Sequence, residues 1–174
     1  MKYHMRMSFL WPLLLLTGVM IAGCETSNAT EPGTILTKSK AEIVMYKSEG
    51  CECCSKWAEH MRMAGFEVVE IKLDDMDAIK SQHEVSNNLS SCHTAIVDGY
   101  VIEGHVPAAD VARLLRERPK VIGLTAPGMP MESPGMQEPS QIPRKYDVFA
   151  FESDGKSHLF TRYYADGKFR EFTR

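Results

Sequence analysis

The sequence lacks an excess of basic residues: 20 lysines and arginines stand against 23 aspartates and glutamates in a chain of 174 residues. Nucleic-acid-binding domains usually carry a strongly basic face, so this balance predicts no nucleic-acid partner. The chain also lacks internal repeats and the compositional bias of collagen, coiled coils or wholly disordered proteins. Its length suits one domain with a real core, and not comfortably two.

No comfortable membrane span is present either. The N-terminal apolar run, Phe9 to Ala22, is short for a transmembrane helix and follows Lys2 and Arg6, a pattern typical of a secretory signal peptide. The run ends in the sequence Ile21-Ala22-Gly23-Cys24, which resembles the lipobox of bacterial lipoproteins. In that motif the small residues admit the peptidase and the cysteine thiol takes the lipid.

These features predict that residues 1–23 are a cleaved signal peptide and that Cys24 is the lipidated first residue of the mature protein. The alternatives are an uncleaved anchor, or a plain signal peptide with an incidental cysteine. Glu25 is not the aspartate that signals inner-membrane retention. We therefore expect a protein that faces the periplasm, anchored to the outer membrane where the organism has one, and touching the membrane only through its lipid.

Cysteine is scarce and clustered. Three of the five cysteines, Cys51, Cys53 and Cys54, fall within four residues, and Cys92 lies further along the chain. Exported proteins occupy compartments in which disulfides form. Once Cys24 is used for lipid, the other four thiols allow two disulfides, one disulfide with a dithiol, or a metal site.

The mature chain divides by pattern into a tether and a domain. Residues 24–40 are rich in Ser, Thr and Asn and are predicted to be a flexible tether. Residues 41–122 predict the order strand, cysteine turn, helix, strand, helix, hairpin, helix, which favours an α/β sandwich and is also the order of a thioredoxin-like core. The expected elements are strands at Glu42–Tyr46 and Phe66–Leu73, helices at Ser55–Ala64 and Asp74–His83, a hairpin at Thr94–Glu103 and a helix after Pro107.

Residues 123–174 have a different composition. The stretch Val121–Tyr146 holds five prolines and three glycines and shows neither helical nor strand periodicity, so it is predicted to be a loop. The remainder alternates and turns at Asp154-Gly155 and Asp166-Gly167. This pattern predicts a β-meander of three short strands, which is too small to be stable alone and should pack on the core or extend its sheet.

The likeness to thioredoxin-like proteins extends to the cysteines. Cys51 and Cys54 form a Cys-x-x-Cys pair at the first strand-to-helix junction. Cys92 precedes the hairpin, in the loop that faces this pair in such folds, and is therefore expected close to the cluster. His93 occupies the position where those proteins carry a cis-proline, so no cis-proline is expected here.

The cluster suits either a metal site or a disulfide reductase. A helix N-terminus lowers the pKa of a thiol, and thiolates are soft ligands for Cu(I), Zn(II) or iron–sulfur clusters. A third cysteine inside a redox pair would invite scrambling by thiol–disulfide exchange, which favours the metal site. Export favours copper, as do Met129, Met131 and Met136 in the Pro/Gly-rich loop, because a thioether is a soft ligand.

The histidines divide into two groups. His93 adjoins Cys92, and His105 ends the hairpin at the edge that faces the cluster, so each is a candidate ligand or hydrogen-bond partner of a ligand. The other histidines of the mature chain, His60, His83 and His158, are expected at the surface.

Seven segments together carry a family resemblance. The motif CxCC after an apolar strand, followed by KW, AGFEV, SCHTA, VDGYVIEGHVP, PGMP and SPGM between Val44 and Met136, resembles the CopG-like family of small exported metal-binding proteins associated with bacterial copper resistance. Glu52 departs from the family, in which glycine often lies between the first two cysteines. The resemblance implies a thioredoxin-like fold, redox activity at the same cysteines as a second role, and the metal ligands Cys51, Cys53, Cys54, Cys92, His93, His105, Met129 and Met136.

We therefore expect an exported Cu(I)-binding protein that contributes to copper resistance, with zinc as the alternative ion and copper-efflux or copper-resistance proteins as partners. The enzymatic alternative is a thiol–disulfide or copper oxidoreductase with Cys51 as nucleophile and Cys54 as resolving cysteine. The structural alternative is a tethered module that two disulfides staple together.

Overall fold

The computed structural model describes residues 41–137 and 145–164, together with the backbone of residues 169–171. The predicted signal peptide, Cys24, the tether and the Asp166-Gly167 turn lie outside the described residues. Among the described residues, no helix has the length and apolarity needed to cross a membrane.

The described chain forms three α-helices and eight β-strands. The helices are α1 (Glu52–Met63), α2 (Met76–Gln82) and α3 (Ala108–Glu117), and a 3-10 turn covers Asn87–Leu89. The strands are β1 (Glu42–Lys47), β2 (Glu67–Lys72), β3 (His93–Val97), β4 (Tyr100–Gly104), β5 (Gly123–Ala126), β6 (Tyr146–Phe151), β7 (Ser157–Tyr163) and β8 (Phe169–Glu171).

All eight strands belong to one mixed sheet in the order β2-β1-β3-β4-β5-β6-β7-β8. β1 and β2 run parallel around the crossover helix α1, whereas β1 pairs with β3, and β3 with β4, in antiparallel fashion. This βαβ unit followed by a β-hairpin and a helix is the thioredoxin-like core that the sequence predicts. It places the start of α1 and the start of β3 at the same end of the sheet, because β1 ends where β3 begins.

The apolar face and C-terminus of α1 and the turn between β3 and β4 follow from the local sequence. α1 turns one face to the core through Cys54, Trp57, Ala58 and Met61, and it ends in a Schellman motif in which Phe66 N–H donates to Met61 O and Gly65 adopts φ +97°. The β3–β4 hairpin turns through Asp98 and Gly99, both with positive φ, as a two-residue type I′ turn requires.

The predicted loop from Val121 to Tyr146 is wrong at its beginning, since Gly123–Ala126 forms β5, a fully buried strand parallel to β4. Four residues are too few for a period-2 pattern to appear in the sequence. Gly123 is required there because a Cβ at this position would lie 1.8 Å from Val101 O. The predicted meander is confirmed as β6 to β8, and it extends the core sheet through pairing of β5 with β6.

A buried polar network ties this extension to α3. Asp110 accepts hydrogen bonds from Thr161 Oγ1 at 2.6 Å and from Tyr163 OH at 2.9 Å. Arg113 donates to Phe160 O and to Thr161 Oγ1, and its guanidinium stacks over the Phe160 ring. The meander is therefore held to the helical layer by hydrogen bonds as well as by the sheet.

The expectation that His60 is a solvated surface residue is wrong. Its side chain is half-buried between α1 and α3, and Nε2 accepts a hydrogen bond from the backbone N–H of Ala108, the first residue of α3, at 3.1 Å. Pro107, the N-cap of α3, has no side-chain oxygen to satisfy that N–H. An imidazole from a neighbouring helix takes this role, and sequence spacing gives no sign of it.

The His60 contact predicts a pH dependence of stability. Burial lowers the pKa of His60 below 6.5, so the folded state holds the neutral ring that accepts from Ala108. The unfolded chain then binds more protons, and the free energy of unfolding should fall as the pH drops below about 6.5. The variant His60→Gln keeps an acceptor that does not titrate. Its stability should therefore depend less steeply on pH, as measured by urea titrations of metal-free protein from pH 4.5 to 7.5; a slope equal to that of the parent would contradict this role.

Candidate metal centre

The cysteine motif opens α1. Cys51 is the N-cap residue of α1, and Cys54 lies one turn further on, so both project from the same face of the first turn. Their sulfurs are joined in a disulfide with a Cα–Cα separation of 5.4 Å. Cys51 is partly exposed, whereas Cys54 is fully buried in the core.

The two free cysteines lie against this disulfide. Cys53 Sγ is 3.5 Å from Cys51 Sγ, and Cys54 Sγ is 3.9 Å from the carbonyl oxygen of Cys92. The sulfurs of all four cysteines lie within 4.8 Å of one another. The predicted proximity of Cys92 to the cluster is confirmed, although about forty residues of sequence separate them.

A hydrogen-bond relay fixes the orientation of His105. His105 Nε2 is 2.8 Å from Cys92 Sγ, and Nδ1 is 2.7 Å from the carbonyl oxygen of Pro134. A carbonyl oxygen can only accept, so Nδ1 carries the proton and donates to Pro134. Nε2 is therefore left with a lone pair that faces the Cys92 sulfur, which is the arrangement typical of metal-binding histidines.

His93 lies on the other side of Cys92. Its ring is fully buried, with Nδ1 at 3.5 Å from Cys92 Sγ and its centroid 4.5 Å from the Trp57 ring and 5.0 Å from the His105 ring. Nε2 of His93 has no hydrogen-bond partner among the described residues. Trp57 is itself held in place, since its Nε1 donates to Val106 O at 2.8 Å.

Burial sets the protonation of this group. Desolvation, reinforced by the neighbouring Cys53, raises the pKa of Cys92 to about 12. Desolvation lowers the pKa of His93 well below its usual value, and it also lowers the pKa of His105. The site at neutral pH therefore presents two neutral imidazoles around a protonated thiol, and a bound cation would replace the thiol proton.

A buried ion pair positions the segment that carries Cys92. The carboxylate of Glu103, fully buried in β4, accepts hydrogen bonds from Ser91 N at 2.6 Å and from Thr94 Oγ1 at 2.7 Å, and it pairs with Lys80 of α2. These bonds hold the residues on either side of Cys92 and His93. Gly104 completes the fit, because a Cβ there would lie 2.4 Å from Ser91 Cβ.

A second buried lysine supports the start of α1. Lys47 Nζ, at the end of β1, donates to Cys51 O at 3.3 Å and to Ser55 Oγ, and it pairs with Glu70 Oε2 at 3.2 Å. The cation thus joins β1, β2 and the first turn of α1. It lies beside the cluster without being a ligand, since an ammonium group has no lone pair.

The Pro/Gly-rich loop covers the cluster. Gly135 packs so closely on α1 that a Cβ would lie 2.7 Å from Trp57 N and 2.8 Å from Cys53 O. Gly128 N donates to Ser90 O, which anchors the other end of this loop near Cys92. Met129 is 44% exposed and Met136, directly after Gly135, is partly buried. Ligand roles for both methionines stay predictions.

The side chains that could bind a metal ion form two groups, which share Cys92. One comprises the four cysteines, and the other comprises Cys92, His93 and His105 with ligand atoms within 4.8 Å of one another. Reasoning from the sequence missed the residues that hold these donors, namely Lys47, Lys80, Glu103, Pro134 and Gly135. Glu103 carried a signal, because it is the one charged residue of β4, whereas Lys47 ends β1, where a charged residue is ordinary.

Comparison with known proteins identifies the family to which this chain belongs. No curated protein matches the chain, but the family model "Protein of unknown function, DUF411" matches residues 89–136. Two solved structures of the copper resistance protein CopG, Form 1 and Form 2, are each 37% identical to this chain with a TM-score of 0.67. The alignment with Form 1 spans 72% of this chain, and the alignment with Form 2 spans 71% of it. Each alignment spans 98% of the CopG chain. The chain belongs to the CopG family.

Membership in the CopG family confirms the resemblance inferred from the sequence, and the structural match agrees with the thioredoxin-like fold. The related structures are named as copper resistance proteins, and this CopG-family chain has a cysteine cluster able to hold a metal ion. The DUF411 match contains Cys92, His93 and His105 but not the CxCC motif. The distal half of the cluster thus lies within the matched segment.

The loop of this CopG-family protein offers a matched pair of variants. Gly128 and Gly135 both have positive φ, at +70° and +87°, so alanine is strained at either position, but only Gly135 faces backbone atoms at contact distance. We expect Gly135→Ala to lower the free energy of unfolding by about 1–3 kcal/mol more than Gly128→Ala, because the overpacked loop must move off α1. Urea titrations of both variants measure this difference.

The same pair tests the orientation of His105. Nitrogen-15 NMR of the imidazole should show the Nδ1-protonated tautomer in the parent and in Gly128→Ala, and loss of the single tautomer in Gly135→Ala, because the adjoining Pro134 carbonyl is displaced. Equal destabilisation and an unchanged tautomer in both variants would show that the loop does not orient His105.

Proposed function

We propose that this protein binds Cu(I) through its cysteine cluster outside the cytoplasm and thereby contributes to copper resistance. The observation that carries the proposal is the convergence of four cysteine sulfurs within 4.8 Å, in a member of a family whose solved structures are named as copper resistance proteins. Copper is then the cargo of the protein, which takes the ion up and holds it.

The donor chemistry fits a soft monovalent ion. Reduction of the Cys51–Cys54 disulfide by two electrons yields two further thiols, so that Cys51, Cys53, Cys54 and Cys92 all become available as thiolates. Thiolates favour Cu(I), and zinc is the alternative ion because it also binds cysteine and histidine. Four thiolates crowded at one helix end repel one another, and bound cations relieve that repulsion.

The oxidation state of the protein then controls loading. In the disulfide form only Cys53 and Cys92 retain free thiols. Two of the four soft donors are thereby removed at once, so the full four-thiolate site exists only in reduced protein. His105 accepts the hydrogen bond of the Cys92 thiol at 2.8 Å and gives that proton a path away from sulfur when metal enters.

The disulfide supports a second candidate function, thiol–disulfide exchange. Cys51 is partly exposed and Cys54 fully buried, so an external thiolate would attack Cys51 Sγ, form a mixed disulfide and release Cys54 as thiolate. Attack by Cys54 on the mixed disulfide would reverse the step. Catalytic reduction of a model disulfide by a dithiol donor, lost in Cys51→Ser, is the measurement for this activity.

Export and anchoring are part of the proposal. The signal peptide at residues 1–23 and the lipobox ending at Cys24 support a lipoprotein that faces the periplasm. Copper-efflux or other copper-resistance proteins in that compartment are the partners that such a carrier would serve.

The choice of metal is tested by competition. Anaerobic, fully reduced protein is given equal amounts of Cu(I) and Zn(II), and bound metal is measured after desalting. We expect Cu(I) to fill the site, because it tolerates the two- or three-coordinate thiolate geometry that Zn(II) rarely adopts. Cys92→Ser should bind less copper, whereas Ser157→Ala, an exposed position at the start of β7, should bind as the parent does.

One outcome would contradict the choice of copper, and another would contradict the role of Cys92 as a ligand. If Zn(II) fills the site and Cu(I) does not displace it, the site is a zinc site. If Cys92→Ser keeps the full copper content, the distal cysteine is not a ligand. Oxidation of the parent should sharply reduce Cu(I) binding, because the disulfide removes two of the four cysteine ligands, and a reductant should restore it.

The anchor is tested by Cys24→Ala. This variant should lose lipid and move from the membrane fraction to the soluble periplasmic fraction on cell fractionation, because no other membrane attachment is expected. Export itself should continue. Unchanged membrane partition of Cys24→Ala would refute the lipobox interpretation.

A further inference from the structure

Residues 127–137, here called the lid, bridge the two segments that supply the cysteines. Gly128 N donates to Ser90 O at 3.2 Å, so one end of the lid is bonded to the backbone that precedes β3. The other end packs on α1 through Gly135, where an added Cβ would lie 2.8 Å from Cys53 O. The lid is thus in contact with both sides of the cluster.

The lid is also bonded within itself and to the body of the domain. Ser133 is 0% exposed, and both its backbone N–H and its hydroxyl donate to Pro130 O. Met136 N donates to Ser133 O, which closes the next turn. Pro134 O, between these turns, accepts from His105 Nδ1 at 2.7 Å. Opening of the lid therefore requires several hydrogen bonds to break together.

The disulfide stays accessible at Cys51. This residue is partly exposed and follows residues 48–50, which are exposed, and a Cβ on Gly50 would meet nothing within 4 Å. Its partner Cys54 is fully buried. An attacking thiolate therefore reaches the disulfide at Cys51, from the side of this exposed turn.

A polypeptide reactant needs more than access to one sulfur atom. It brings its own backbone to the disulfide, and extended chains bind readily by pairing with free backbone groups. In the segment before Cys92 two such groups are already used, since Ser90 O is bonded to the lid and Ser91 N donates to Glu103 Oε1 at 2.6 Å. A small thiol needs neither a backbone partner nor the space that the lid fills.

We propose that the lid makes the Cys51–Cys54 disulfide selective for small-molecule thiols and excludes protein thiols. The inference rests on thiol–disulfide exchange, the second candidate function above, and it names the substrate class of that site. One thiolate of a small dithiol attacks Cys51 Sγ, forms a mixed disulfide and releases Cys54 as thiolate. The second thiol then attacks the mixed disulfide, so that two electrons and two protons pass to the cysteines and the reactant leaves as its own disulfide.

The test compares two dithiols of different size on the same disulfide. Metal-free protein that carries Cys24→Ala, with the Cys51–Cys54 disulfide intact, is treated with dithiothreitol or with reduced thioredoxin at equal dithiol concentration. The reduced fraction is followed by alkylation and intact-mass measurement. We expect thioredoxin to be the slower reductant, because its backbone finds no place beside the lid.

Two lid variants and a matched control separate the lid from general stability. Gly135→Ala overpacks the lid against α1 and should raise the ratio of the thioredoxin rate to the dithiothreitol rate by about tenfold. Ser133→Ala removes one bond inside the lid and should raise this ratio by less; it carries the test if Gly135→Ala does not fold. Gly155→Ala is also strained, at φ +77°, but meets nothing within 4 Å in the β6–β7 turn, and it should leave the ratio unchanged.

The outcomes distinguish this inference from the function on which it rests. Faster reduction of the parent by thioredoxin than by dithiothreitol overturns the inference. An unchanged ratio in the folded lid variants, including a rise of both rates together, overturns it as well. If neither dithiol reduces the disulfide of the parent, thiol–disulfide exchange itself is refuted.

Discussion

The buried carboxylate of Glu103 is the constraint on which the candidate metal centre depends. It sits in β4 and takes hydrogen bonds from Ser91 N and Thr94 Oγ1 while pairing with Lys80. An isolated charge at this depth would be strongly unfavourable, and removal of one partner of such a pair is typically much more costly than loss of a surface pair. The segment before β3 is thus held in one position, and Cys92 with it.

The same constraint explains why the two donor groups meet at one sulfur. Cys92 follows the Glu103-bound Ser91, and His105 follows Glu103 by two residues, directly after the end of β4. One buried ion pair therefore positions a thiol and an imidazole together. Lys47 helps to position the cysteines of the CxCC motif, since its contacts join β1 and β2 to the first turn of α1. Neither ammonium group can act as a metal ligand, and both help to set the positions of the candidate ligands.

The parts of the molecule that could be predicted from sequence are those with local signals. The helix face of Trp57 and Met61, the Asp98-Gly99 turn and the order of elements follow from periodicity and turn chemistry, and the position of Cys92 follows from that order. β5 could not be predicted because four buried residues show no period. The role of His60 and the Pro134 bond to His105 could not be predicted either, because they join distant segments through backbone atoms that every residue possesses.

The loop over the cluster also has a consequence for how this architecture can diversify. It leaves the sheet at the end of β5 and returns at the start of β6, and these strands are neighbours. An insertion between paired strands changes length at little entropic cost, because closure entropy grows only slowly with the number of residues. Relatives could therefore exchange the donors and the shape above the cysteines while the sheet below stays the same, much as antibody domains vary their loops on a constant framework.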